Sequence, residues 1–495
     1  MDSSNRLYKL NRVPPRGNAA GENDGRSDYN TGLQRESGLE LPQVVKYRAS
    51  TMPPSSLPQV LIEQYGQPDS DEQSSVLFAG DCYIRPDHPL HAGNDLFDPA
   101  IVQLLRKSTF SIVNFEGTLN QQGYPGIPKE GPRLALHAGA PAVLNSAGFR
   151  AVTLANNHAM DYGAEGLADT IRVCTESGLQ HVGAGTNLQG AIESLRLCLP
   201  GDARLQILSF CEREFGVSTG EAAGTAWLTS PQTENAIRRA KQDSDVVIVC
   251  SHGGNEFMPL PSPQRRRQLQ NLIDAGANLV IGHHPHVPQG WEQYKDSYIF
   301  YSLGDFYFDS LDGNRYKCRD WGFMVRVGLA EGRIKSLKIL PYERVSDKIV
   351  SLGQRRDAGT CLAFLERISS ILTAPNFEGY WQQLAVERLS DYRPFLRQAR
   401  AYSRASFREW ASQSLRKSRD LWRGWFPATG GPTHRHTTPF QQQALGTLNV
   451  IRCESHRWAL ETALAVLAGE CKDLRTDEIR KELEAMRPLY TYESA

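Results

Sequence analysis

From Val76 onward, short apolar runs rich in β-branched residues alternate with longer stretches in which apolar residues recur every three to four positions. The runs are VLFAG (76–80), FSIVNF (110–115), AVTLA (151–155), LQILSF (205–210), DVVIVC (245–250) and NLVIG (278–282). SYIFYSL (297–303), FMVRVGL (323–329) and SLKIL (336–340) complete the set. Each has the length of a strand and is apolar on both faces, the pattern of strands buried within a sheet. The intervening segments 163–178, 231–243 and 263–276 carry the helical period. Strands alternating with helices in this way predict an α/β domain.

The flanks have a different texture. Residues 1–74 are rich in Ser, Pro, Gly, Asn, Asp and Gln, with apolar clusters as small as Val60, Leu61 and Ile62. So little apolar surface does not offset the entropy of ordering, and the segment is expected to be a disordered polar tail. Residues 346–495 are expected to form an α-helical extension, ending in a pair of helices at 440–472 and 476–487. Within it, 393–423 holds nine Lys/Arg against Glu409 and Asp420, with Phe407, Trp410, Leu415, Trp422 and Trp425 at helical spacing. A basic amphipathic segment over 393–425 suits peripheral contact with an anionic membrane surface, or docking on the α/β domain with its basic face in water.

Composition narrows the function classes. Lys+Arg and Asp+Glu are both 55 in 495 residues, so the chain is not a globally basic nucleic-acid binder and no nucleic-acid partner is expected. No apolar stretch reaches the roughly 18 residues of a spanning helix, and the N-terminus lacks the apolar core of a secretory signal. Nine cysteines, an odd number without repeated spacing, point to thiols in a reducing, cytoplasmic compartment.

The informative polar residues stand where apolar runs stop. Asp81 follows VLFAG, Glu116 follows SIVNF, and Asn156-Asn157-His158 follows VTLA. His252 follows VVIVCS, while His283, His284 and His286 follow LVIG. In open α/β sheets the carboxyl ends of the strands line the ligand crevice, so residues scattered over some 200 positions would meet at one site. Alone, each is an ordinary turn or capping residue. Together they form a carboxylate, amide and imidazole donor set suited to one or two divalent ions of Mn, Fe, Zn or Mg, which can clamp an oxyanion and activate water.

The same residues carry a resemblance. LFAGD (77–81), VNFEGTL (113–119), VTLANNHAMDYGAEGL (152–167), VGAGTNLQGA (182–191), CSHGGNEF (250–257), LIDAGANLVIGHHPHV (272–287) and YSLGDFYFD (301–309) resemble the bacterial capsule-synthesis CapA family. That family includes poly-γ-glutamate assembly proteins and is related to calcineurin-like metallophosphoesterases. The resemblance covers 75–345 and implies a four-layered αββα metallophosphatase-like fold. It makes Asp81, Glu116, Asn157, His252, His284 and His286 metal ligands and His158 the catalytic histidine. Asp161, three residues on, is placed to orient that imidazole, or serves as a first-turn carboxylate favoured by the helix dipole. Arg133 and His137 stand where the family places basic residues toward an anionic substrate, or are solvated loop residues, and Glu256, four residues after His252, is a candidate partner of the ligands or a surface carboxylate.

This chain departs from the phosphoesterase pattern in places. The opening Asp-x-His pair becomes Asp81-Cys82-Tyr83, without its imidazole, and Gly-His-x-His is stretched to Gly282-His283-His284-Pro285-His286, leaving open which two imidazoles bind. The resemblance thus implies a metal-dependent, phosphoesterase-type hydrolase for an anionic small molecule or polymer in a capsule or poly-γ-glutamate pathway. The alternative is a non-catalytic assembly factor that keeps the fold as a binding platform.

Overall fold

The computed structural model describes residues 60–62, 72–90, 96–129, 131–309, 321–345, 348–351, 358–392 and 439–490. Among the described residues, the first elements are β1 (Val60–Ile62) and the long β2 (Ser74–Tyr83). Helix α1 (Pro99–Lys107) leads to β3 (Phe110–Phe115), β4 (Thr118–Leu119), β5 (Ala135–Leu136) and helix α2 (Ala140–Ala147). Next come β6 (Ala151–Thr153), α3 (Gly163–Glu176), β7 (Gln180–Val182), β8 (Ala184–Gly185) and the single turn α4 (Leu188–Ala191). Then follow β9 (Leu195–Leu199), β10 (Ala203–Cys211), β11 (Gly224–Thr225), α5 (Pro231–Asp243), β12 (Val246–His252), α6 (Pro263–Ala275) and β13 (Leu279–His283). Strands β14 (Pro288–Tyr294), β15 (Ser297–Leu303), β16 (Asp305–Phe308), β17 (Trp321–Ala330), β18 (Arg333–Val345) and β19 (Lys348–Ser351) continue the chain. Helices α7 (Ala358–Leu372), α8 (377–392), α9 (Pro439–Arg452), α10 (Glu454–Ala468) and α11 (Asp477–Met486) complete the described elements.

These strands build a nine-stranded sheet, ordered β1-β18-β17-β2-β3-β6-β7 with β16 on β2 and β19 on β18, and a six-stranded sheet, β14-β15-β13-β12-β10-β9. The centre of each is parallel. Alternation along β2 shows why the sheets stack: Val76 and Phe78 join the core shared with the six-stranded sheet, whereas Leu77 and Ala79 join Ile101, Leu105, Leu144 and Leu167 under α1–α3. Helices α5 and α6 cover the far face of the six-stranded sheet with Ile237, Leu269 and Ile273. The result is the expected four-layered αββα arrangement.

Helix starts follow local chemistry. Ser230 and Ser262 accept hydrogen bonds from the backbone amides of Thr233 and Arg265, and each is followed within two residues by a proline, so α5 and α6 begin where the sequence supplies a cap and a fixed φ.

Three expectations need correction. Val60–Ile62, assigned to the tail, pairs in parallel with Leu337–Ile339 of β18, and Ser74 already belongs to β2. The remaining residues of 1–74 other than 72 and 73 lie outside the described residues. The segment after 345 is not wholly helical, because β19 adds to β18, and its helices do not stand apart: Phe364, Leu365, Trp381, Ala459 and Leu483 belong to the same core as both sheets. Finally, the single helix expected over 440–472 is two, broken at Cys453, whose extended backbone (φ −66°, ψ 121°) separates α9 from α10. The basic segment 393–425 lies outside the described residues. Among the described residues, no helix is long and apolar enough to cross a membrane.

Candidate metal centre

The carboxyl ends of both sheets meet at one place. The nine-stranded sheet brings Asp81 from β2, Glu116 from just beyond β3 and Asn157 and His158 from beyond β6; the six-stranded sheet brings His252 from β12 and His284 and His286 from beyond β13. All are buried, none more than 7% exposed. Close backbone approach makes this convergence work. The Asp81 amide donates to the Gly304 carbonyl at 3.0 Å, and a Cβ on Gly80 would sit 1.9 Å from that oxygen, so only glycine fits before Asp81. After β13 the chain bends sharply, with positive φ at His284 (98°) and His286 (57°), which is uncommon for non-glycine residues. The His284 amide donates to Asp81 Oδ2 at 3.0 Å, tying the two sheets together beneath the ligands.

Two donor sets adjoin and share Glu116: Asp81, Glu116 and His286 form one, and Glu116, His252 and His284 the other, with donor atoms within 4.8 Å of one another in each. In the second set, His252 Nε2 lies 3.1 Å from both Asn157 Oδ1 and His284 Nδ1. Ligand nitrogens held about 2.0–2.1 Å from one tetrahedral ion lie about 3.3 Å apart, so this spacing fits a shared cation. Burial, reinforced by the neighbouring imidazoles, holds His252 well below its ordinary value; His284 falls to about 3, chiefly through burial. Both rings are therefore neutral at pH 7, the form in which imidazole binds a metal.

Surrounding groups fix these donors. His286 Nδ1 lies 2.8 Å from Asp305 Oδ1 while its Nε2 faces Glu116 Oε1 at 3.6 Å, the carboxylate–histidine relay typical of metal sites. Asn114 Nδ2 donates to Asp81 Oδ1 at 2.8 Å, and Thr153 Oγ1 donates to Asn114 Oδ1 at 2.9 Å. Asn156, unlike its neighbour, has a structural role: its Nδ2 donates to the Phe115 carbonyl and its Oδ1 accepts from the His158 amide.

His158 stands beside the shared carboxylate, its Nε2 3.9 Å from Glu116 Oε1. Asp161 Oδ2 accepts from His158 Nδ1 at 2.7 Å, and Asp161 Oδ1 accepts from the buried ammonium of Lys129 at 2.6 Å. Burial pushes the Asp161 carboxyl up, but Lys129 and His158 together outweigh it and hold the group below its ordinary value. Burial and then Lys129 hold His158 below its own. Asp161 thus remains an acceptor that fixes the ring, with Nε2 turned toward Glu116.

The other expected residues divide. Partly buried Glu256 comes within ligand distance of His284 and His286. Burial raises its pKa, but the two imidazoles outweigh this and leave it lowered. Arg133 and His137 are not brought into the donor sets. Arg133 donates through Nε and Nη2 to the Ile127 carbonyl, while His137 Nδ1 accepts from the Gly139 amide at the start of α2. Of the three imidazoles at and beyond the end of β13, His284 and His286 enter the donor sets and His283, the strand's last residue, does not. Sequence reasoning overlooked Asn114 and Lys129, and tied Asp305, where CapA-like chains tend to have Asn, to substrate shape and not to His286. Asn114 is a polar residue inside the apolar run FSIVNF, and Asp305 repeats the strand-end pattern after SYIFYSL. Lys129 lies in the 120–133 loop, where no sequence signal marks it.

A buried carboxylate, amide and imidazole cluster at the sheet ends of a four-layered α/β fold defines a candidate metal centre. Residues 75–310 match the family model described as bacterial capsule synthesis protein PGA_cap, and over this segment the chain is CapA-like. The capsule biosynthesis protein CapA of Bacillus anthracis is 33% identical over 225 residues, 44% of this chain and 54% of its own length. The PGA biosynthesis protein CapA of Bacillus subtilis is 32% identical over 248 residues, 48% of this chain and 64% of its own length. A probable polyglutamine synthesis accessory protein of Mycobacterium tuberculosis is 29% identical over 233 residues, 44% of this chain and 61% of its own length. The chain thus spans between half and two thirds of these relatives. Among solved structures, a 5'-nucleotidase from Candida albicans aligns over 59% of this chain and 54% of its own, at 11% identity and a TM-score of 0.34.

Proposed function

We propose that the protein is a metal-dependent hydrolase acting on a phosphoester or similarly anionic substrate in the production of a capsule or poly-γ-glutamate type polymer. One observation carries the chemical part: two donor sets share Glu116, and His158, held by Asp161, stands against that same carboxylate. Asp81, Glu116, Asn157, His252, His284 and His286 would hold one or two divalent ions. When bound, such ions polarise a phosphoryl oxygen and lower the pKa of water. The chain's own residues do the rest. Asp161 and Lys129 keep the His158 ring oriented, His158 Nε2 holds or passes a proton at the leaving oxygen, and the buried walls exclude bulk solvent. The names of the relatives support the pathway part.

A non-catalytic assembly factor is the second reading, favoured by the first donor set. Where a phosphoesterase has an Asp-x-His imidazole, this chain has Tyr83, whose ring packs on Phe308 with centroids 5.1 Å apart. Metal analysis of protein purified without chelator, together with a phosphoester panel, tests the hydrolase. Turnover lost on chelation and restored by a divalent ion is the expected result; protein that holds metal but turns over nothing in the panel favours the assembly factor.

A further inference from the structure

Apart from the groups built on His284, His286 and Glu116, another donor cluster is assembled from parts of the chain that lie far apart in sequence. Glu214 follows β10, and Cys453 and His456 flank the start of α10; their ligand atoms lie within 4.8 Å of one another. Cys453 and His456 lie outside the family-matched segment 75–310. We propose that Glu214, Cys453 and His456 bind a zinc-class divalent ion, at a site separate from the donor sets around Glu116.

The position of the cluster is built, not incidental. Glu212, at the end of β10, clasps the start of α10: its carboxylate accepts from the Ser455 amide, from the Ser455 hydroxyl at 2.6 Å and from the Gly254 amide at 2.9 Å. Asn255 Nδ2 donates to the Ser455 carbonyl at 3.0 Å from the other side. Gly253 makes room for this clasp, since a Cβ there would stand 2.7 Å from the Glu212 side chain, and its φ of 154° suits glycine. The break between α9 and α10 thus has a cause: it turns Cys453 inward while Ser455 is held.

The donors are individually oriented as well. Asn449 Nδ2 donates to Glu214 Oε1 at 3.0 Å, and the Tyr392 hydroxyl lies 3.2 Å from His456 Nδ1. Partners of this kind fix carboxylate and imidazole ligands. A sulfur, nitrogen and oxygen set favours zinc, cobalt(II) or iron(II) over magnesium or calcium. Glu214 and Cys453 also line the narrow cavity reached by Asn157, His252 and His284, so an ion held here would be reached from the same cavity as the main centre. Burial and then the nearby Glu212 and Glu214 push the Cys453 thiol well up, so without a cation it stays protonated. On binding, its proton goes to solvent as the sulfur–metal bond forms, with no change in oxidation state.

The test uses cobalt(II) with the full chain stripped of metal. Cobalt-loaded wild type should show a near-ultraviolet thiolate-to-cobalt charge-transfer band. Cys453→Ser should abolish it and lower bound metal by about one ion per chain, and His456→Gln should weaken it. Cys453 occupies the N-cap position of α10, where serine is favoured, so Cys453→Ser should fold with an unchanged melting midpoint. Cys211→Ser, which alters the other thiol lining the cavity, and His284→Ala, which disables the main centre, should both keep the band. A wild type without the band, or a Cys453→Ser variant that retains it, overturns the proposal. Neither result depends on catalysis, so failure here is distinguishable from failure of the hydrolase reading.

Discussion

His158 is the residue on which catalysis and metal binding separate. It is adjacent to the proposed ligand Asn157, yet its Nδ1 is committed to Asp161 and its Nε2 stands beside Glu116. His158→Ala should keep metal content and melting while losing about a hundred- to ten-thousand-fold in turnover, the usual range for acid–base assistance. Restoration of pathway product by this variant in the native host would exclude the catalytic role. Stability in acid follows from the same buried imidazoles. In metal-free protein, burial holds His284 at about 3 against an ordinary 6.5, and His252 and His283 are also lowered. A depressed folded-state value means that the unfolded chain binds protons first. The stability is therefore present above about pH 6.5 and is lost as pH falls toward about 3. Chelated protein should show a melting midpoint that drops across this window, and His284→Asn should flatten the drop; an equal slope in both would count against the assignment.

At the scale of elements, the central strands were legible because both of their faces are buried, which leaves continuous apolar runs: FSIVNF and SYIFYSL coincide with β3 and β15. The edge strands β9 and β14 were not. Their outer positions alternate with Arg196, Gln293 and other polar residues, and β14 begins at Pro288, so the apolar signal is diluted. The six proposed ligands were legible as strand-end residues, whereas Lys129 was not, since a lysine in a loop is indistinguishable by sequence from a solvated one. The break at Cys453 was hidden for a related reason: its cause, the Glu212 clasp, is over 200 residues away. The approach of β2 to the chain after β15 gives a test at this scale. Gly80→Ala would drive a methyl into the Gly304 carbonyl oxygen, and overpacking of that kind typically costs about 1–3 kcal/mol. Urea unfolding should show a lowered midpoint, with metal affinity reduced because Asp81 moves; an unchanged midpoint would mean that the strands separate easily there.

For the molecule as a whole, the decisive feature is that both donor sets built around Glu116 draw on the two sheets together. Asp81, Glu116 and Asn157 come from the nine-stranded sheet, and His252, His284 and His286 from the six-stranded one. A bound ion therefore acts as a clamp across the two inner layers, and its binding free energy is coupled to their association. At a free concentration one hundred times its dissociation constant, a ligand that binds only the folded state adds about 2.7 kcal/mol of stability. Adding a divalent ion to chelated protein should thus raise the melting midpoint. Asp81→Ala on one sheet should remove part of that rise, His286→Ala on the other should remove a similar part, and Glu116→Ala, which touches both sets, should remove more than either. The double variant Asp81→Ala/His286→Ala should lose little beyond the single ones, because both residues serve the same donor set and their effects are not additive. If the two single changes add fully, they act on independent features of the fold, and the first donor set is not a metal site.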